Sequence, residues 1–97
     1  MGIEFLGKPR PPLDYRAIGK ILAKITPIDG LKRVRMTDAE LGLARTDDSQ
    51  EILTIHLSAN QICLVFHAAD GDERRRIVEQ THQLLREEGI ECELAEE

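Results

Sequence analysis

Two stretches of the chain alternate apolar and polar residues with the period of a half-buried strand. Residues 51 to 57 read EILTIHL and residues 61 to 67 read QICLVFH. A period of two puts every second side chain on the same face. A slip of one residue would turn a strand's whole apolar set over, so the pattern also predicts a register. Setting Leu57 opposite Ile62 gathers Leu53, Ile55, Leu57, Ile62, Leu64 and Phe66 on one face. The other face then carries Ile52, Thr54, His56, Cys63, Val65 and His67, a mixed set. Ala59-Asn60 makes the tight turn between them, with Asn60 as the residue that tolerates a left-handed backbone.

Two further stretches have the helical period. Over residues 15 to 25, Ile18, Ile21, Leu22 and Ile25 fall at i, i+3, i+4 and i+7 and form one buried stripe. Asp14 is the expected N-cap, Leu13 and Ile18 stand at staple spacing, and Thr26-Pro27 ends the helix. Gly19 costs about 1 kcal/mol relative to Ala in a helix interior, which suggests that another backbone approaches it closely. Over residues 72 to 88 the stripe is Ile77, Val78, Leu84 and Leu85, with Thr81 between them. Asp70 and Glu73 have capping-box spacing, and Asp72 adds charge where the helix dipole favours it. Gly89 is the expected C′ residue, with Ile90 closing back onto Leu85. Residues 90 to 94 then alternate again, with Ile90, Cys92 and Leu94 inward and Glu91 and Glu93 outward. The short links on either side of the helix predict a crossover and a parallel pairing of the flanking strands.

The remaining segments are less regular. Residues 2 to 6 (GIEFL) read as a short edge strand. Residues 8 to 12 (KPRPP) form a stiff extended connector, because proline fixes φ and lacks an amide donor. Pro9 and Pro12 have the spacing of a PxxP ligand, but a plain linker is the simpler reading. Asp29-Gly30 signals a turn, and residues 31 to 36 (LKRVRM) read as a half-exposed strand. Thr37 to Glu40 match a capping box that would open a short helix through about Ala44. The same residues also fit a hairpin turn with ELGLAR as the returning strand. Both readings stand; the alternation of Leu41 and Leu43 and the presence of Gly42 favour the hairpin. Residues 46 to 50 are a polar loop. Together these elements predict an α+β fold: a two-layer sandwich with a mostly antiparallel sheet, two helices on one face and a C-terminal strand-helix-strand unit. Residues 1 to 97 are expected to form a single domain.

Composition narrows the function classes. Of 97 residues, 41% are hydrophobic and 32% charged, which suits a globular chain rather than a disordered one. Phe5, Tyr15 and Phe66 are the only aromatic residues, too few for a platform that stacks single-stranded nucleic acid. No apolar run approaches the roughly 20 residues that span a bilayer. The N-terminus lacks a secretion signal's apolar region, and Leu6 stands where a myristoylation signal needs Ser or Thr. A cytoplasmic location is the expectation, with Cys63 and Cys92 as reduced, buried small hydrophobes; a disulfide between them would require their two strands to be neighbours in the right register.

Candidate chemistry is sparse. His56 and Cys63 are cross-strand neighbours in the expected register. His67 lies four residues beyond Cys63, roughly 13 Å away at strand spacing. Zinc takes three or four ligands at about 2.0 to 2.3 Å, so only His56 and Cys63 could share an ion. A Cys-His nucleophile needs an activated thiolate in an open pocket, and strand-interior Cys63 is a poor candidate. His82 reads as a surface residue. Residues 69 to 72 (ADGD) carry acids where a phosphate loop would need none, and Asp47-Asp48 lies in a solvated loop. No catalytic residue, cofactor or metal is therefore expected.

Charge is the remaining signal. Residues 1 to 35 hold eight Lys or Arg and three Asp or Glu, and residues 36 to 97 hold five and fifteen, so +5 and −10 give the net −5. The acidic half argues against nucleic acid, although Arg16, Lys20 and Lys24, with Lys32, Arg33 and Arg35, form a basic ridge. Glu87, Glu88, Glu91 and Glu93 lead an acidic group packed into the last eleven residues. They are the expected partner-binding residues. The composition points to a small acidic, non-enzymatic protein-binding domain, with a bacterial-style inhibitor or immunity protein of a basic partner as the favoured form. A small ligand-sensing regulatory domain is the alternative, a small enzyme comes last, and self-association is compatible with all three.

Overall fold

Strand pairing, rather than strand placement, is where the molecule adds most to its sequence. The computed structural model describes residues 2–25 and 30–97. The expected Thr26-Pro27 helix stop and Asp29 lie outside them. In chain order the described elements are β1 (Ile3–Gly7), α1 (Tyr15–Ile25), β2 (Leu31–Met36), β3 (Glu40–Arg45), β4 (Glu51–Ser58), β5 (Gln61–Phe66), α2 (Gly71–Glu87) and β6 (Ala95–Glu96). The strands form one sheet in the order β2-β3-β4-β5-β1-β6. Every pair in it is antiparallel. With both helices packed against one face, this is the two-layer α+β sandwich that the periodicities imply.

The central hairpin has the expected register, with Leu57 opposite Ile62 and His56 opposite Cys63. Leu41 and Leu43 of β3 and Phe5 of β1 continue the apolar rows across the sheet. Ile52 departs from the simple alternation. A bulge sets Ala44 opposite Glu51, so β4 carries one extra residue at its start. Ile52 turns into the core, where it is 1% exposed, while Glu51 stays on the opposite face. The Ala59-Asn60 turn also closes differently from expectation: no residue other than glycine has positive φ among those described.

Helix ends follow the local chemistry. Asp14 Oδ1 accepts the Ala17 N–H at 2.7 Å, and Asp70 Oδ1 accepts the Glu73 N–H at 2.7 Å. After α2, Gly89 adopts φ +76°. The Ile90 N–H donates to the Leu85 carbonyl at 2.9 Å and the Gly89 N–H to that of Arg86 at 3.0 Å. That is the paired closure of a Schellman turn, with Ile90 and Leu85 both in the core. Thr81 is buried among the apolar residues of α2, and its hydroxyl donates to the Ile77 carbonyl at 2.8 Å. Gly19 does not mark a close approach: it is exposed, and a Cβ there would meet nothing within 4 Å.

Residues 37 to 40 settle as a hairpin turn. Thr37 Oγ1 accepts the Ala39 and Glu40 N–H groups at 3.3 and 3.0 Å, and the Thr37 N–H donates to the Glu40 carbonyl at 2.9 Å. A threonine hydroxyl accepting from the third residue on is also what an N-cap does. The local bond is thus common to both readings, and burial of Leu41 and Leu43 in the sheet decides between them.

Two expectations about neighbours are corrected. β1 is not an edge strand. It lies between β5 and β6 and pairs with β5 along its whole length, from Ile3 opposite Phe66 to Gly7 opposite Ile62. Consequently β5 and β6 run parallel without pairing to each other. The C-terminal strand is also shorter than expected: only Ala95 and Glu96 form it, and Glu91 makes an isolated bridge to Arg10. Residues 90 to 94 nevertheless keep the expected inward and outward alternation, with Ile90 and Leu94 buried and Glu91 and Glu93 exposed.

Candidate functional site

The sheet face opposite α1 and α2 is not covered by either helix, and it carries a chain of paired polar groups. The β4 bulge and a glycine build its centre. Gly42 leaves a slot over β3, and the Glu51 carboxylate lies in it: a Cβ on Gly42 would be 2.1 Å from Glu51 Oε1. Arg35 grips that carboxylate with two parallel bonds, Nε to Oε1 and Nη2 to Oε2, each 3.1 Å. Its third donor, Nη1, reaches Glu40 Oε1 at 3.0 Å. The guanidinium is the main reason both carboxylates are held below the usual carboxylate range, and they in turn push the Arg35 pKa up.

The histidine tautomers follow from this arrangement. Ionised Glu51 can only accept, so Thr54 Oγ1 donates to it. The same hydroxyl lies 2.9 Å from His67 Nε2 and has no second proton to give, so His67 Nε2 carries the hydrogen. His56 Nδ1 is 3.2 Å from Glu40 Oε2, which places its hydrogen on Nδ1 and leaves Nε2 as the acceptor. Glu40 thus orients the His56 ring, and Cys63 stands opposite His56 by strand register. The Cys63 thiol is poorly activated: burial, with Glu4 nearby, pushes its pKa up, the reverse of what an activated nucleophile needs. Among the described residues no three His, Cys, Asp or Glu side chains are placed to hold a metal ion.

Cys63 and Cys92 are both free. Cys63 pairs with Leu6 on the uncovered face. Cys92 lies on the helix side, where its Sγ would be 2.6 Å from a Cβ on Gly7, whose cross-strand partner Ile62 points into the core. The sheet separates the two thiols.

The four expected partner-binding residues do not act as one patch. Glu88, at the C-cap of α2, accepts from Lys24 and lies 3.1 Å from Lys20 Nζ. Its side chain is 10% exposed, and Lys24, then Lys20, hold it below the usual carboxylate range. Glu88 thus clamps α2 to α1 and takes up two of the three cations of the helical basic ridge. Glu87, Glu91 and Glu93 remain exposed. Glu91 is fixed by its backbone, which exchanges bonds of 2.7 and 2.8 Å with Arg10. Glu4 joins the group from the other end of the chain, because the Glu97 N–H donates to the Glu4 carbonyl at 2.9 Å. Glu4, Glu91, Glu93, Glu96 and Glu97 therefore line the β1–β6 edge, with Lys8 and Arg10 among them. The opposite edge, β2, carries Lys32, Arg33 and Arg35.

His82 is not the plain surface residue its sequence context suggests. It is half-buried, and its Nε2 accepts the Leu94 N–H at 3.1 Å. No helix among the described residues is long and apolar enough to cross a membrane. Compared with known protein families, curated proteins and solved structures, the chain matches none.

Proposed function

We propose that this chain is a small acidic protein-binding domain of the cytoplasm, acting as an inhibitor or immunity protein of a basic partner and carrying out no chemistry of its own. The observation that supports this is the acidic β1–β6 edge. Among the described residues, none of Glu4, Glu91, Glu93, Glu96 and Glu97 forms an ion pair, whereas Glu40, Glu51, Glu73 and Glu88 all do. Unpaired surface carboxylates steer a cationic partner and raise its association rate, an effect that salt screens. Edge guarding is the competing role for the same charges.

The two roles separate in a binding experiment. The partner is recovered on the immobilised protein and identified, and its association with wild type and with Glu91→Lys/Glu93→Lys is followed at low and high salt. The double reversal is expected to slow association at low salt and to flatten its salt dependence, with the fold unchanged by circular dichroism. An unchanged low-salt rate assigns Glu91 and Glu93 to edge guarding and moves any partner surface elsewhere.

A ligand-sensing role has one observation in its favour. Three clefts flank His82, two of them of about 410 and 380 Å³, within the size range of small-molecule sites. Charged residues of both signs line these two, including Arg10, Arg86, Glu91 and Glu93 in one and Arg75, Glu79 and Glu96 in the other. That is a poor match to the mostly apolar lining of such sites, so protein binding is preferred.

A further inference from the structure

The C-terminal segment is fastened to the body of the molecule by few bonds, and one of them depends on an unprotonated histidine. His82 Nε2 accepts the Leu94 N–H at 3.1 Å. An imidazole nitrogen accepts only while it carries no hydrogen, and a protonated ring has two donors and no acceptor. A proton added at Nε2 would therefore face the Leu94 N–H donor to donor.

What this bond secures is specific. Leu94 is 8% exposed and belongs to the core. It lies just before β6, which has only two residues and pairs with Phe5 and Leu6 of β1. The other backbone ties of residues 90 to 97 are the Ile90 N–H to the Leu85 carbonyl, the Arg10–Glu91 bridge and the Glu97 N–H to the Glu4 carbonyl. The segment also rests on Gly7, where any side chain would meet Cys92 Sγ at 2.6 Å and the Glu93 carbonyl at 2.7 Å.

Charges surround His82 in both signs. From its own helix come Arg74, Arg75, Arg76, Glu79 and Arg86; the proline connector contributes Arg10, and the C-terminal segment contributes Glu91, Glu93 and Glu96. The arginines oppose a new positive charge and the carboxylates favour it. With both signs present, the lone pair donated to Leu94 is the feature that ties the ring's charge to the position of the segment.

We propose that His82 is a proton-operated latch: its neutral ring fastens residues 90 to 97 against α2 and β1, and its protonation releases them. Release removes Glu96 from the lining of the cleft that Phe5 and Val78 share and frees the outer edge of β1 at Phe5 and Leu6. The latch stands independently of any partner. If a partner does dock on Glu91 and Glu93, the latch also governs whether those side chains are held in place.

Amide hydrogen exchange read residue by residue by NMR tests this at about pH 7.5 and pH 5, the interval across which histidine ordinarily changes charge. Rates are corrected for the intrinsic pH dependence of exchange. In the wild type, protection at Leu94 and Glu97 is expected to fall about 2- to 12-fold in acid, the population change that follows from losing a hydrogen bond of ordinary worth. Protection in β4 is expected to hold. His82→Gln keeps an acceptor without a titrating ring and should hold the segment at both pH values; His82→Leu should loosen it at both. Equal wild-type protection at the two pH values overturns the latch. So does the same acid loss in His82→Gln, which would assign the effect to the surrounding carboxylates.

Discussion

Leu84 and Leu85 offer the sharpest test of how α2 sits on the sheet. Adjacent residues on an α-helix point about 100° apart, so the pair cannot share one orientation. Leu85 is 1% exposed in the centre of the core, and Leu84 is only partly buried against it. Replacing Leu85 by Ala removes three buried carbons, worth about 0.8 kcal/mol each, or about 2.4 kcal/mol in transfer free energy. A residual void of about 50 to 80 Å³ adds about 1 to 2 kcal/mol, at about 24 cal/mol per Å³. Leu85→Ala should therefore cost about 3.5 to 4.5 kcal/mol, a large part of the roughly 5 to 15 kcal/mol that holds a domain of this size. Leu84→Ala leaves no enclosed void and loses only part of the transfer contribution, so about 1 kcal/mol is expected. Urea unfolding reads both: with a slope near 1.5 kcal/mol per molar, the Leu85 midpoint falls by about 2 M or more and that of Leu84 by less than 1 M. Equal losses, or a greater loss at Leu84, would mean that α2 is turned by about 100° from the orientation described, and the core assignment of this helix would fail.

Two further outcomes concern the paired charges. Glu40, Glu51 and Glu88 are all held below the ordinary carboxylate range, the first two mainly by Arg35 and the third mainly by Lys24. Folded, they bind fewer protons than they do unfolded. Their stabilisation is thus complete above the ordinary carboxylate pKa and is lost as pH falls through the lower folded-state values. In a His82→Gln background, where the latch does not titrate, urea midpoints should be level from about pH 7 to pH 5 and decline below about pH 4.5; a level line down to about pH 3 would refute the pairing. Gly42→Ala tests the slot under Glu51. Alanine in a strand ordinarily gains roughly 0.5 to 1 kcal/mol over glycine, but here the added carbon would lie 2.1 Å from Glu51 Oε1 and 3.2 Å from Arg35 Cβ. A net loss of about 1 kcal/mol is expected, turning into a gain in a Glu51→Ala background; a gain in both backgrounds would show that the slot is not occupied.

Periodicity carried most of the fold because burial acts on faces. The β4–β5 register follows from which six side chains must be covered, and the caps at Asp14, Asp70 and Gly89 follow from bonds within a few residues. Pairing between distant strands leaves no such mark. β1 fits β5 as well as it would fit an edge, and the insertion of β1 between β5 and β6 depends on where the proline connector returns the chain. The bulge at Glu51 was hidden for a related reason: one extra residue breaks the alternation that would have to reveal it. Gly42 was read as a weak helix former, but its lack of a side chain makes room for the Glu51 carboxylate, an effect with no sequence-local signature. His82 was hidden because its partner is a backbone N–H, which every residue but proline possesses.

Charge shows most clearly why a tally along the chain misleads. The basic first third and acidic remainder look like two surfaces, yet folding interleaves them. Lys24 closes onto Glu88 across 64 residues of sequence, Arg35 onto Glu40 and Glu51, and Arg45 onto Glu73 at 2.9 Å. Each such pair neutralises locally and leaves little field for a partner to sense. The charges that can act at a distance are those folding leaves uncompensated. Among the unpaired carboxylates, Glu4, Glu91, Glu93, Glu96 and Glu97 are brought to one edge by two residues of β6 and one bond from Glu97 to Glu4, while Glu88 of the same acidic run is taken up by Lys20 and Lys24. That edge is held in part by the His82 bond. The residues best placed to attract a cationic partner are therefore also those whose position responds to the protonation of a single ring. If both proposals hold, mild acid should weaken partner binding to wild type more than to His82→Gln.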